Sequence, residues 1–321
     1  MTGGMTMSAM IVAILVDAAL GWPAPLYRAI GHPVTWLGRL IDWLDRWLNL
    51  EETGPGRRRI AGLFAALAVI GVAVECAVIL RSLLPAGWAG VVIEGLLIWP
   101  FLATRSLHDH VAAVARPLAA GDLAGARAAV AMIVGRDPNR LDEAGVARAA
   151  LESLSENASD GVVAPWFWGL VFGLPGIVGY KAVNTLDSMI GHRTPRHEAF
   201  GWAAARIDDV ANLIPARLTG LILAAVSGRW QPAIAVMMRD ARHHRSPNAG
   251  WPEAAMAGAL DIRLSGPRVY ADHIAEEPWV NSGARDPLPP DLARGLALFR
   301  RAIAAILAVT VTLWAIGAML G

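Results

Sequence analysis

Apolar residues run through this chain in blocks long enough to cross a bilayer, and the charged residues fall mostly between them. Four blocks stand out, near residues 5–21, 60–80, 88–104 and 302–320, and each approaches the roughly 20 residues that a spanning helix needs. Arg59 and Arg81 bracket the second. Two further apolar stretches, near 162–180 and 211–227, are interrupted. Gly173-Leu174-Pro175-Gly176 divides the first, and Pro215 and Arg217 lie inside the second. Proline removes a helical hydrogen bond, and arginine facing lipid is costly. Both stretches are therefore predicted to be broken or re-entrant helices. Residues 106–160 read as helices, with starts at Asp122 and at Asp137-Pro138 and one long helical pattern over 141–160. Residues 281–290 read as a loop before the last helices. No strand alternation, internal repeat or low-complexity tract is visible. The predicted architecture is an all-α, polytopic integral membrane bundle, one membrane-embedded domain over 1–321, with a helical region on the cytoplasmic side.

Composition sharpens that picture. Hydrophobic residues make up 55% of the 321 positions, charged residues 17%, and the mean hydropathy is +0.45. A soluble domain carries about 25% charged residues. The net charge of +1 gives no electrostatic support to nucleic-acid binding. All but one of the 28 basic residues are arginine; the exception is Lys181. The single Cys76 excludes an intrachain disulfide and cysteine-ligated metal clusters. The first apolar block lacks a basic leader and contains Asp17, so it reads as a retained membrane helix. Trp22, Trp88, Trp99 and Trp314 fall near span ends, as interfacial anchors do. Six arginines in 22–59 against one in 81–87 place 22–59 in the cytoplasm, and residues 105–301 then lie on that side too.

Polar residues concentrate in the middle of the chain. Glu75 and Glu94, inside apolar blocks, are either site residues or internally hydrogen-bonded acids. Arg148, Glu152, Glu156 and Asp160 recur every four residues and share a helix face. Arg148 and Glu152 suit a solvated i,i+4 pair. Glu156, Asn157 and Asp160 suit it less, because they run directly into an apolar segment. A second cluster holds Lys181, Asn184, Asp187, Gly191, His192 and Arg193. A third holds Arg206, Asp208, Asp209 and Asn212. Carboxylate and amide oxygens beside Lys and Arg are what a Mg²⁺-phosphate site requires: the oxygens hold the hard cation and the cations hold phosphate. The stretch His243 to Glu253 adds Asn248 and Glu253 as candidates for a substrate-contacting loop. Its adjacent histidines point apart on a helix and read as surface residues. No P-loop, G-x-S-x-G, H-E-x-x-H or dinucleotide-binding glycine motif is present.

Several blocks of this sequence resemble the CobD/CbiB family of cobalamin biosynthesis. They are Glu156-Asn-Ala-Ser-Asp-Gly-Val-Val-Ala-Pro165, Tyr180-Lys-Ala-Val-Asn-Thr-Leu-Asp-Ser-Met-Ile-Gly191, Phe200 through Asn212, and Ser246 through Gly258. The segments His32-Pro33-Val34 and Leu37 through Ile41 match as well. The resemblance follows chain order over nearly the whole length and is least diagnostic beyond about residue 280. It implies an integral-membrane adenosylcobinamide-phosphate synthase. Such an enzyme uses ATP and Mg²⁺ to join adenosylcobyric acid to (R)-1-aminopropan-2-yl phosphate through an amide bond. It acts in the bacterial inner membrane with its site on the cytoplasmic side, beside other cobalamin-biosynthesis enzymes.

On that reading Asp187, Asp208 and Asp209, with Asp160, hold Mg²⁺. Lys181, Arg193 and Arg206 hold phosphates and stabilise developing negative charge. Asn157, Asn184 and Asn212 orient substrate or metal-bound water, and Glu156 is the base for the attacking ammonium. Two other classes also fit an Asp-rich membrane protein: a Mg²⁺-dependent transferase for diphosphates or CDP-alcohols, and a corrinoid transporter. The first has differently spaced motifs. The second calls for paired repeats and more spans.

Overall fold

The computed structural model describes residues 3–134, 137–269, 274–275 and 277–320. In chain order its helices are α1 (Gly3–Leu20), α2 (Ala24–Ile30), α3 (Pro33–Leu48), α4 (Pro55–Ser82), α5 (Trp88–Ile98), α6 (Thr104–Ala119), α7 (Leu123–Val130), α8 (Glu143–Ala158), α9 (Ala164–Phe172), α10 (Leu174–Ile190), α11 (Trp202–Ala211), α12 (Leu213–Val226), α13 (Trp230–Asp240), α14 (Gly250–Leu260) and α15 (Pro289–Leu320). Four two-residue strands, β1 (Leu264–Ser265), β2 (Arg268–Val269), β3 (Ile274–Ala275) and β4 (Trp279–Val280), precede α15. They pair antiparallel, β1 with β4 and β2 with β3. Strands of two residues are too short to leave the alternation that a sequence reading looks for.

The all-α membrane architecture is as predicted. Among the described residues three helical segments, Pro55–Ser82, Trp88–Ala119 and Pro289–Leu320, are long and apolar enough to cross a membrane, or five if each of two bent helix pairs counts as one span. In α4 and α15 only 28% and 11% of the apolar window is buried within the protein, which leaves most of each surface for lipid. The expected span near 5–21 meets the criterion only jointly with the next helices, across a 110° bend. Gly21 takes a positive φ there, and Pro23 and Pro25 cannot donate to a continuing helix. The break in 162–180 falls at Gly173, also at positive φ, between α9 and α10. Pro215 does not break α12: it lies in the first turn, where its missing N–H has no intrahelical acceptor to lose. The predicted helix start at Asp137 is replaced by Asp142, whose side chain accepts from the Gly145 N–H at 2.7 Å. Asp122 caps α7 as expected. A single helix, α15, follows the 281–290 segment.

The chain divides into two compact units. The first comprises Met1–Ala103, Ala164–Asn212 and Val309–Gly321; the second comprises Thr104–Val163 and Leu213–Ala308. In the first, Ile41 of α3, Ala65, Ala66, Val69 and Ala73 of α4, Ala182, Leu186 and Ile190 of α10, Ala204 of α11 and Phe200 form one buried cluster. The α4 contribution is a stripe of small residues that begins at Gly62. Lipid is as apolar as leucine, so helices in a bilayer associate through close backbone approach, which small residues permit. A Cβ at Gly62 would overlap the carbonyl of Phe200.

The second unit is built around α14, every residue of which is buried. Helices α8, α12 and α13 pack on it. The indole of Trp279 lies between the guanidinium groups of Arg148 and Arg263, at 4.6 and 4.2 Å. Both arginines pair with Asp286. The expected Arg148–Glu152 surface pair is therefore not formed. Glu152 is buried and accepts from the Ser265 N–H at 2.9 Å. That strand contact lies 113 residues away, beyond what helical spacing reveals.

Candidate active site

The first unit gathers eight of the predicted site residues on α10, α11 and the segment between them. Asn184 and Asp187 occupy the last turns of α10, one and two turns beyond Lys181. Asp208 lies on α11, and Asn212 ends it. The Asn212 Nδ2 donates to Asp208 Oδ2 at 3.0 Å, and its Oδ1 accepts from the Tyr180 hydroxyl at 2.9 Å. Tyr180, on α10, thus fixes the amide of Asn212, which in turn orients the Asp208 carboxylate. Sequence reading passed over this tyrosine, although it stands next to Lys181.

Helix α11 carries Arg206, Asp208 and Asp209 within ten residues, so we place it and the C-terminal end of α10 outside the apolar spans. Burial, reinforced by the neighbouring charge of Asp187, pushes the Asp208 carboxyl up to about 7; the Asn212 hydrogen bond acts the other way. Burial raises Asp187 as well, opposed mainly by His192. Asp208 Oδ1 is buried and has no hydrogen-bond partner among the described residues. Two half-buried carboxylates, both raised by burial and one raised further by the other's charge, with an orphaned oxygen on Asp208, leave an unmet demand for positive charge. Asp209 differs, because its Oδ2 lies 3.0 Å from Arg206 Nη1.

Among the described residues no group of three or more His, Cys, Asp or Glu side chains is assembled to hold a metal ion. Mg²⁺ does not require one, since it commonly takes one or two carboxylates and completes its shell with water and substrate phosphate. Asp187 and Asp208, with the amide oxygen of Asn184 as a third donor, fit that pattern. Asp209 is the least available of the three predicted ligands.

Gly191 and the segment behind it set the second half of the site. The Gly191 N–H donates to Asp187 O at 2.8 Å, and a Cβ at this position would overlap the Asp187 carboxylate. The following residues are anchored by Asp45 of α3. Its carboxylate accepts from Arg196 Nε at 2.8 Å and from Asn49 Nδ2 at 2.7 Å, and it lies 3.5 Å from His197 Nε2. Asn49 Nδ2 and Arg58 also donate to the Arg196 carbonyl. A cavity of about 430 Å³ opens beside this segment, lined by Arg59, Gly191, Arg193, Glu198, Trp202, Ala205 and Arg206. Arg193 and Arg206 were expected at a phosphate site. Arg59 had read only as the edge of a span, because the fold that places it beside Arg193 is not local.

The second unit holds the other five predicted residues. Glu156 and Asn157 are exposed on the last turn of α8, and Asn157 Nδ2 donates to Ser153 O at 2.9 Å. A π-helical turn, Ser159–Val163, follows directly, so Asp160 leaves the i,i+4 face on which the sequence placed it. Asn248 and Glu253 are both buried, which places them inside the unit and not on an open loop. Arg217 donates to Asn248 Oδ1 at 3.4 Å and stacks its guanidinium 4.4 Å above the Trp251 ring. That accounts for an arginine in an apolar stretch. His243 is exposed as expected, but the His244 side chain is largely covered and its Nε2 lies 3.6 Å from Glu253 Oε2.

The fold defines a helical membrane protein whose polar site lies on helix ends beside apolar spans. Comparison with known proteins makes the assignment specific. A family model described as CobD/Cbib protein matches residues 10–299. A protein named cobalamin biosynthesis protein CobD from Rhodobacter capsulatus is 65% identical over 311 residues, covering 96% of this chain and 98% of the relative. Proteins of the same name from Brucella suis and Sinorhizobium fredii are 49% and 45% identical, over 90% and 95% of this chain and equal shares of their own lengths. No solved structure matches. The chain belongs to the CobD/CbiB family.

Proposed function

We propose that this protein is the adenosylcobinamide-phosphate synthase of cobalamin biosynthesis. In this reading it joins (R)-1-aminopropan-2-yl phosphate to the free propionate carboxylate of adenosylcobyric acid, with ATP and Mg²⁺, on the cytoplasmic side of the bacterial inner membrane. The observation that carries the reading is the Asp187–Asp208 pair, set between amides and arginines in a chain related end to end to cobalamin biosynthesis proteins.

A carboxylate is a poor acylating agent because its leaving group would be oxide. Phosphoryl transfer from ATP removes that obstacle and leaves phosphate as the leaving group when the amine attacks. Asp187 and Asp208 would hold Mg²⁺, which when bound neutralises phosphate oxygens. Lys181, Arg193 and Arg206 supply positive charge to phosphate groups and to the oxygen that becomes negative during attack. Asn184 and Asn212 hold the carboxylates in place. The attacking ammonium must also lose a proton; Glu156, Asn157, Asp160, Asn248 and Glu253 are polar residues of the second unit.

Purified protein in detergent, given adenosylcobyric acid, the aminoalkyl phosphate, ATP and Mg²⁺, should yield the condensed corrinoid by mass spectrometry, and omission of ATP should abolish it. Absence of product from folded protein with verified substrates would refute the synthase. Corrinoid uptake into liposomes by the same protein would favour transport instead.

A further inference from the structure

The described arginines divide between ion-paired and unpaired side chains. Arg46, Arg81, Arg105, Arg148, Arg196, Arg229, Arg239, Arg263, Arg285 and Arg294 all stand in ion pairs with carboxylates. Others, Arg28, Arg39, Arg57 and Arg58 among them, have no ion pair among the described residues, and the 430 Å³ cavity of the first unit brings two such arginines together. Among the described residues Arg59 and Arg193 have no carboxylate partner, and Glu198, on the same wall, has no ion pair either. Arg206 reaches the cavity while its other contact is Asp209 at 3.0 Å. Three guanidinium groups and one free carboxylate thus face a common space without neutralising one another. Trp202, about half exposed, supplies an apolar wall.

The parts come from separate elements held in register. Arg59 sits in the first turns of α4, Arg193 and Glu198 on the segment anchored by Asp45, and Trp202 and Arg206 on α11. Guanidinium groups recognise phosphate oxygens in a forked geometry, and a carboxylate recognises an ammonium. We infer that this cavity seats a small phosphate monoester that also carries an amine, its phosphate on Arg59, Arg193 and Arg206 and its ammonium on Glu198. A nucleoside triphosphate alone offers Glu198 no cation and would bring it negative charge. Arg206 and Gly191 also adjoin the Asp209 and Asp187 carboxylates, so an ester bound here would lie next to the acid–amide pair. Arg59 and Glu198 become specificity-determining residues. The identity of the amine as the acceptor in amide formation rests on the synthase reading.

Titration calorimetry on the full-length protein in detergent tests this without turnover, using inorganic phosphate, isopropyl phosphate and 1-aminopropan-2-yl phosphate as probes. The aminoalkyl ester should bind at least about tenfold more tightly than the isopropyl ester, as a charge-assisted contact warrants. Glu198→Gln should bring the two esters to similar affinity. Arg59→Gln should weaken both by a similar factor, about tenfold, with partial recovery in Arg59→Lys. Retained preference for the amine in Glu198→Gln, or no binding of any probe to protein that melts normally, would overturn the inference. The synthase reading fails separately: these affinities without ATP-dependent condensation would leave the cavity assigned and the synthase refuted. Condensation with an unchanged amine KM in Glu198→Gln would remove the cavity alone.

Discussion

Asp208 carries a cost that can be measured on the protein without any ligand. Its carboxyl is raised from 3.8 to about 7, chiefly by burial. A raised carboxyl binds its proton more tightly in the folded than in the unfolded chain. Its stabilising contribution is complete below the unfolded value and is lost as pH rises through about 7. Taking those two values, the loss between pH 5 and pH 8 is on the order of 2–3 kcal/mol. Asp208→Asn removes it, because a carboxamide does not titrate, and its oxygen can still accept from Asn212 Nδ2. Thermal unfolding followed by tryptophan fluorescence in detergent, with EDTA present, should show wild type losing several degrees relative to the variant from pH 5 to pH 8. Other groups titrate in both proteins, Asp187 included, so the wild-type minus variant difference isolates Asp208. Parallel curves over that range would mean that Asp208 is ionised throughout, and the argument for an unmet demand for positive charge at this site would fail. The same variant should be inactive above pH 7, where it is the more stable protein, as expected when a site residue is strained for function.

Asp187→Ala should abolish ATP-dependent condensation while the protein still inserts and melts normally; activity within severalfold of wild type would take Asp187 out of the site. Gly191→Ala forces the Asp187 carboxylate and its carbonyl, 2.7 Å from the added Cβ, to move, so it should reduce kcat by at least about tenfold and lower the melting temperature by a few degrees, read from steady-state kinetics and thermal unfolding together. Asp45→Ala strips the buried acceptor from Arg196 and Asn49. Full loss of a buried pair costs about 3–5 kcal/mol, and the partial exposure of Arg196 brings the expectation to about 2 kcal/mol. Limited proteolysis should then cut first between residues 191 and 201, and unaltered resistance there would refute the anchoring role.

The membrane-embedded helices were legible because their signal is composition over length, which needs no knowledge of partners. The breaks were less so. Gly173 could be located because glycine and proline adjoin there, whereas Pro215 misled: a proline in a first turn ends nothing, and only the position of the helix start decides that. The acid–amide–arginine residues of α10 and α11 could be found because helical spacing already places them on shared faces. Asp160 was displaced because a π turn shifts the phase, and nothing in Ser159-Asp160-Gly161 announces it. Arg148 and Glu152 looked like partners at i,i+4 but were each taken by a more distant group, Asp286 and Ser265. Arg59 and Tyr180 escaped for the same reason, since their roles depend on contacts between elements.

Charge is scarce in this chain, and its disposition separates structure from function. A charged group in or near a bilayer must be paired, hydrated or neutralised, because isolated burial is costly. Arg81 and the fully buried Glu94, 3.2 Å apart, form an ion pair within the first unit, although neither Glu94 oxygen has a hydrogen-bond partner among the described residues. Arg285, Arg294 and the buried Asp291 do the same at the start of α15. An opposite charge within the protein balances each of these acids. The same accounting does not close around α10 and α11. There the Asp187 charge raises the Asp208 carboxyl, Asp208 Oδ1 has no hydrogen-bond partner among the described residues, and Arg59, Arg193 and Glu198 line one cavity without forming an ion pair. Negative charge unmatched on one side of Arg206 and positive charge unmatched on the other are what a site for a metal-bound phosphate and an anionic ester requires. Single-charge neutralisations on the two sides should therefore have opposite signatures. Asp208→Asn should relieve a penalty and stabilise the ligand-free protein above pH 7. Arg59→Gln should leave ligand-free stability nearly unchanged and appear only when phosphate is added. Equal destabilisation by both would mean that these charges hold the fold together, and the functional assignment of the cluster would not survive.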